Sequence, residues 1–540
     1  MSLDNGNSNG NGSGKASAFG NPQHSSYKWW VLANVMIGTF MAVLDATIVN
    51  VSLPKIMATF GITVDKAEWV LTAYLLAFAV MLPSSGWFAD HFGYKRVYML
   101  ALFLFTTGSF LCAMAWNENA LITFRVIQGL GGGIITPVGM AIVLREFPYK
   151  QRGTALGFWA IAAAGSVSFG PLIGGYLVDN FSWHSIFFVN IPVGIFALFA
   201  SWAIQREYKA ERARSFDILG FISMTVFLLS LLLALADGNS AWNTGGWTST
   251  FILTCFAVAF VSLVIFLITE FTVEHPILEL NLLKSFNYSM ANIVLFIFGF
   301  SVFGSTFLLP LYLQNSLGYT AYQAGAIYLP MGLIQGVVAP LAGVLADKTN
   351  PKIIAITGIV LLAWSWYLNG FLSLFSMHAE IMFPVYLRGF GMGLLFTPLS
   401  TIALSEIRKE KMAQASGLFN VIRQVGGSFG VAVIGTVLTE RTLFHTALNG
   451  QAMQPYSPVY QHVVYGLRNF ASNVLSGPFA IEMQRAKALV LSNAVRQAIV
   501  QATDDTFLFA FAIMILCVIP ILFLKTGRKK VPTPKMVAAE

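Results

Sequence analysis

The sequence predicts an all-α integral membrane protein with fourteen membrane-spanning helices. They form two six-helix bundles with two further helices inserted between them. Three observations carry this reading. Of 540 residues, 56% are hydrophobic and only 10% are charged, against about 25% charged in an ordinary soluble domain. Apolar runs of roughly 20 residues, the length that crosses a bilayer, recur to the C-terminus. Short landmarks also repeat in a fixed order at an offset near 260 residues.

The spans are read at about 29–53, 67–88, 97–116, 120–144, 154–178, 185–204, 217–236, 248–270, 288–315, 321–346, 352–375, 379–404, 413–440 and 505–525. An even number places both chain ends on one side. Of the 32 Lys and Arg, 22 fall in the tails and loops of that side. The opposite side has Lys55 and Lys66 in its first, short loop, plus five residues in one long loop, 441–504. Long loops count little in this rule, so both termini are expected to be cytoplasmic. The net charge of +8 therefore belongs to membrane topology, not to a nucleic-acid surface. Residues 1–27, rich in Asn, Gly and Ser, read as a disordered tail, and 526–540 as a second tail. Gly10 to Lys15 lacks the glycine spacing of a phosphate loop, so nothing points to ATP hydrolysis. Cys112, Cys255 and Cys517 all lie in apolar segments, with neither disulfide nor metal spacing.

The repeat divides the chain. Ala33-Asn34 answers Ala291-Asn292, and Gly86-x-x-Ala89-Asp90 answers Gly343-x-x-Ala346-Asp347. Thr136-Pro137 answers Thr397-Pro398, and Ser168-Phe169-Gly170 answers Ser428-Phe429-Gly430. One bundle then covers 28–204, the inserted pair 205–286 and the second bundle 287–525. Duplicated bundles of this kind bind substrate between the halves near the midplane and rock about it.

Asp45 breaks the repeat, because its counterpart at an offset of 258 is Phe303. It is also the one acid lying more than about two turns inside its apolar segment. A carboxylate at the bilayer centre costs roughly 2.5–3.5 kcal/mol on insertion scales, so it marks a proton or ion relay, a substrate cation or a buried partner. The plainer alternative is a neutral acid hydrogen-bonded to a neighbouring helix. Arg125, Arg388 and Arg423 lie inside spans and are expected to face the bundle interior. For Arg388 and Arg423, structural pairing with carbonyls or with Asn420 stands equally open.

Three motifs follow in order. Gly86-Trp87-Phe88-Ala89-Asp90-His91-Phe92-Gly93-Tyr94-Lys95-Arg96 occupies the loop after span 2. Arg125-Val126-Ile127-Gln128-Gly129 lies in span 4. Gly165-Ser166-Val167-Ser168-Phe169-Gly170-Pro171-Leu172-Ile173-Gly174-Gly175 lies in span 5. Glycines four apart, Gly129 with Gly133 and Gly170 with Gly174, allow close helix packing. These motifs closely resemble those of the major facilitator superfamily, and the third its drug:proton antiporters. Leu44-Asp45-Ala46-Thr47-Ile48-Val49-Asn50-Val51-Ser52-Leu53-Pro54 resembles the first span of the fourteen-helix EmrB/QacA type. Trp183 to Gly194 looks like that branch's approach to span 6. Asn420-x-x-Arg423 and the long loop before span 14 look closest to its EmrB-like members.

The resemblance implies the major facilitator fold and proton-driven efflux without a cofactor. Asp45 would be the coupling site and Arg125 its electrostatic partner. Gly86, Asp90, Gly93, Lys95 and Arg96 would form a gate latch. Gly165, Gly170, Pro171, Gly174 and Gly175 would set antiport through a bend. The second-half copy, Gly343 to Lys352, is degenerate and is not expected to latch equally. A periplasmic EmrA-like adaptor and an outer-membrane channel are implied as partners, docking at Gln451 to Asp504. Apart from the resemblance, Phe40, Met41, Tyr74, Phe303, Phe307 and Tyr312 are candidates for a cavity that repacks around varied apolar cargo. The polar candidates are Asn34, Gln128, Asn292, Gln335, Asn420 and Arg423. Export of one endogenous amphiphile, such as a siderophore, lipid or bile-salt-like compound, is the alternative. A membrane enzyme is disfavoured because the seven histidines are scattered. A non-transporting sensor is disfavoured because Asp45 and Arg125 are both present.

Overall fold

The computed structural model describes residues 26–524, apart from 63, 149–150, 210–215, 239, 241, 275, 307, 406, 408–410, 452, 454–455 and 475–478. Both tails and Phe307 lie outside the described residues. Thirteen helices among the described residues are long and apolar enough to cross a membrane. The 29-residue helix Arg152–Asn180 runs among them as the fourteenth. The protein is a multi-pass membrane protein.

The first bundle holds α1 (Tyr27–Phe60), α2 (Val64–Phe92), α3 (Tyr94–Ala113), α4 (Glu118–Glu146), α5 (Arg152–Asn180) and α6 (Ser185–Ile204). The inserted pair is α7 (Ile218–Asp237) and α8 (Thr250–Thr272), which pack on each other. The second bundle opens with α9 (Phe286–Thr306, continuing to Ser316), α10 (Leu329–Lys348) and α11 (Pro351–Asn369). It continues with α12 (His378–Ser405), α13 (Met412–Gln451), α14 (Pro458–Val474) and α15 (Phe479–Leu516).

Packing follows the sequence repeat. α1 lies on α5 as α9 lies on α13, α2 on α4 as α10 on α12, and α3 on α4 as α11 on α12. Small residues make these approaches possible. A Cβ on Gly129 or Gly133 of α4 would fall 2.5 or 2.3 Å from the Tyr74 or Phe78 carbonyl of α2. The bundles meet through α5 against α10 and α2 against α13.

The long loop 441–504 is mostly helical, both in its second half, where the apolar spacing of Ile481, Leu489, Val495 and Ile499 points to a helix over Ala480 to Gln501, and in its first. α13 runs unbroken for 40 residues and α15 for 38. At 1.5 Å per residue each is roughly 60 Å long, about twice the hydrocarbon thickness. The two therefore continue out of the bilayer as an antiparallel stalk, with α14 against it. A polar helix in water leaves no hydropathy signal, which is why the span appeared to stop near 440. Asp505 Oδ2 accepts from Arg441 Nε at 2.7 Å and lies 2.7 Å from His445 Nε2, tying the stalk together at its base.

Candidate functional site

Asp45 on α1 has no exposed surface, and neither does Arg125 on α4. One carboxylate oxygen, Oδ2, accepts from Arg125 Nη1. The other, Oδ1, accepts from Gln128 Nε2 at 2.8 Å and from Asn190 Nδ2 at 2.9 Å. Gln128 lies three residues after Arg125, so both side chains share one face of α4. Its amide is fixed at both ends: Oε1 accepts from Arg125 at 2.7 Å, and Nε2 also donates to Ser109 Oγ at 2.6 Å. Asn190 Nδ2 reaches the same hydroxyl at 3.3 Å. Arg125 Nε donates to the Val70 carbonyl at 3.0 Å, and its guanidinium sits 4.1 Å from the Tyr74 ring centre. Tyr74 in turn donates to the Ala42 carbonyl at 2.9 Å. Five helices thus converge on one carboxylate.

Such an arrangement holds a charge in apolar surroundings by pairing it and saturating its lone pairs. Asn190 and Ser109 were missed by sequence reasoning. The available signal was that Asn190 is the one amide in its apolar segment, inside a motif already singled out.

α5 carries the glycine motif past this centre. A Cβ on Gly170 would fall 2.1 Å from Thr47 Oγ1, and one on Gly174 would fall 2.8 Å from Ile48 Cγ1. The helix is therefore pressed onto α1 two to three residues beyond Asp45. Lower down, the same helix meets the second bundle. A Cβ on Gly157 would fall 2.5 Å from the Ala339 carbonyl, and one on Gly153 would fall 2.8 Å from that of Gly343. α5 is continuous through Gly165, Gly170 and Gly174 to Gly175; the Pro171 ring lies outside the described side chains.

The bundles are closed against each other on the face that carries the first motif. Asp347, at the end of α10, accepts from Gly153 N at 3.1 Å, Thr154 N at 3.0 Å and Thr154 Oγ1 at 2.9 Å. A carboxylate at a helix N-terminus meets otherwise unpaired N–H groups and the positive end of the dipole. Ser416 of α13 donates to the Pro137 carbonyl of α4 at 3.1 Å. The first-half motif also makes contacts within its own half of the chain. Asp90 accepts from Tyr94 at 2.9 Å, Lys95 Nζ donates to the Trp202 carbonyl at 2.7 Å, and Arg96 pairs with Glu207 at 3.6 Å. Gly93 is required here: its φ is +100°, and a Cβ would fall 2.2 Å from the Glu207 carboxylate. Nearby, Tyr208 donates to Glu146 at 2.8 Å, and burial keeps the Tyr208 phenol protonated well above its usual range. Asp347, in the Gly343 to Lys352 copy, thus makes bonds that cross between the bundles.

The proposed cavity residues are not gathered around one point. Tyr74 and Gln128 belong to the Asp45 centre, and Met41 is buried in the core beside it. Phe40 is half-buried, and its carbonyl accepts from Ser166 at 2.9 Å. Asn34 donates to Ser201 of α6 at 2.7 Å, while Asn292 donates to the Tyr288 carbonyl of its own helix at 2.8 Å. Gln335 is buried on α10 with an unpartnered Oε1. Asn420 accepts from Arg423 at 3.2 Å, and the Arg423 guanidinium lies 5.7 Å from the Phe303 ring centre. Tyr312 is fully buried and donates to the Ser373 carbonyl at 2.6 Å.

Residues 35–431 match the family model described as Major Facilitator Superfamily. The chain belongs to that superfamily. It is 32% identical to the "Multidrug export protein EmrB" of Haemophilus influenzae, over 80% of this chain and 85% of that protein. It is 29% identical to the "Fatty acid resistance protein FarB" of Neisseria gonorrhoeae, over 92% of this chain and 95% of that protein. Within the superfamily it is thus an EmrB-like member. The solved structure of the human organic anion transporter MFSD10 shares the fold, with a TM-score of 0.58 over 90% of this chain and 99% of that one, at 13% identity.

Proposed function

We propose that this chain is a proton-coupled efflux transporter that exports hydrophobic or amphipathic compounds by alternating access. The observation that carries the reading is the Asp45–Arg125 pair, fully enclosed in a membrane bundle and braced by Gln128, Asn190 and Ser109. A buried ion pair with no water access is a poor stabiliser and a sensitive switch. The similarity to a protein named a multidrug export protein supports drug-like cargo.

α5 supplies the mechanical link. Its N-terminal half is fastened to α10, and its C-terminal half is pressed on α1 beside Asp45. Rocking of the second bundle pulls on α5 and so on the helix that holds the carboxylate. In the state described here the face with Asp347 is shut. The Lys and Arg distribution places that face, with both termini, in the cytoplasm. Asp45 then loads from the opposite side when the pair opens, and delivers its proton inward after the bundles rock. Phe40, Met41 and Tyr74, close to the pair, line the cargo path on the first bundle. The stalk of α13 and α15 projects outward by roughly 30 Å beyond the hydrocarbon and suits docking of a periplasmic adaptor that leads to an outer-membrane channel.

Inverted membrane vesicles test this. Energised vesicles are expected to accumulate a lipophilic compound and to lose it when nigericin collapses the pH gradient. Accumulation that survives nigericin and instead requires ATP would sink the reading. The similarity to a protein named for fatty acid resistance favours a second reading, export of one endogenous amphiphile. A substrate panel separates the two by breadth.

A further inference from the structure

The second bundle preserves the arginine of the Asp45 centre but not its carboxylate. Arg388 of α12 lies 263 residues after Arg125. Tyr328 stands to it as Tyr74 stands to Arg125. Each phenol lies beside the guanidinium and donates to a carbonyl of the bundle's first helix, Tyr74 to Ala42 at 2.9 Å and Tyr328 to Thr306 at 3.1 Å. The counterpart of α1 is α9, and Phe286 to Ser316 contains no Asp or Glu. Arg388 is 4% exposed and makes no salt bridge among the described residues. Its Nε reaches Ser365 Oγ at 3.4 Å, its Nη2 has no partner among the described residues, and the Phe507 ring centre is 6.0 Å away. Ten residues, roughly 15 Å of helix, separate it from the outer end of α12.

One turn along α11 from Ser365, on the same face, Asn369 is fully buried with neither amide oxygen nor nitrogen bonded. Unmet buried groups are few in native proteins and each calls for a water, an ion or a ligand. The nearest acid along α15 is Asp504, one turn before Phe507, and its Oδ1 is already held by Leu372 N at 3.1 Å. Asp505 beside it is engaged by Arg441 and His445.

We propose that Arg388, with Ser365, Tyr328 and Asn369, is a seat for the carboxylate of an amphipathic anionic cargo molecule. The inference rests on the efflux reading and names one substrate class for it. A carboxylate supplies the missing countercharge, and the planar guanidinium fork matches its two oxygens. The Ser365 hydroxyl and the Asn369 amide N–H can donate to its remaining lone pairs, and the Phe507 ring borders the apolar body. The first bundle answers its arginine with its own carboxylate, and the second leaves that place to the cargo.

Equilibrium binding to the full-length protein in lipid nanodiscs tests this, using a naphthalene carboxylate, the matching primary amide and tetraphenylphosphonium. Arg388→Gln is expected to weaken the carboxylate at least tenfold and leave the amide and the cation unchanged. Arg388→Lys, which restores the charge but not the fork, is expected to recover only part of the loss, and Asp504→Asn to leave all three unchanged. Unaltered carboxylate binding in Arg388→Gln overturns the proposal, as does equal weakening of all three ligands. A wild type that binds the cation but no carboxylate also overturns it while leaving the efflux reading intact. If the wild type binds none of the three, both fall together.

Discussion

Asp45 and Arg125 have no water to fall back on, so each depends on the other and on the amides around them. Removing one partner of such a pair costs about 3–5 kcal/mol, because the other is left buried and charged. Arg125→Gln should therefore lower the unfolding temperature in detergent markedly. Asp45→Asn should be milder, since its oxygen still accepts from the guanidinium. The double variant should be more stable than the sum of the single losses implies. Strict additivity would mean that the two residues do not act as a pair. Asn190→Leu should cost about 1–3 kcal/mol by stripping one donor from the carboxylate. At this scale the sequence showed Asp45, Arg125 and Gln128 as polar intruders in apolar runs. It did not show Asn190 or Ser109 as partners, because contacts across 145 and 81 residues are made by the fold and not by local pattern.

α5 links what happens between the bundles to what happens at Asp45. Gly174→Leu places carbon where Ile48 already sits and forces α5 off α1. Overpacking of this kind costs about 1–3 kcal/mol, which a bundle of this size survives. The expected result is a well-expressed protein whose transport rate in vesicles falls at least tenfold. Normal transport would separate α5 from the coupling. Asp347→Ala removes three bonds from the start of α5. Maleimide labelling of Thr154→Cys should then rise several-fold, as the closed face opens more often. The glycine spacing announced the tight helix pairs before any coordinates. The repeat already matched Asp347 to Asp90, but it did not show that Asp347 meets the start of α5, because a cap is recognised only once its helix is in place.

Across the whole molecule, the long membrane helices were legible because hydrocarbon demands long apolar runs and tolerates few exceptions. The stalk was legible only in part: apolar spacing marked a helix over Ala480 to Gln501, while α13 turns polar past 440 and left no such signal. Arg441→Gln with His445→Gln releases Asp505 at the stalk base. Hydrogen exchange at 441–451 should quicken, while proton flux in liposomes stays as in the wild type. A loss of flux would mean that the stalk participates in transport and not only in docking.

The central claim is that cargo leaves in exchange for a proton carried by Asp45. The direct measurement is proton movement in proteoliposomes on adding lipophilic cations, weak acids and neutral amphiphiles, for wild type and Asp45→Asn side by side. The account predicts that at least one compound class drives protons across the membrane in the wild type and none does so in the variant. Equal responses from the two proteins would contradict it, and would make the Asp45 centre a structural clasp.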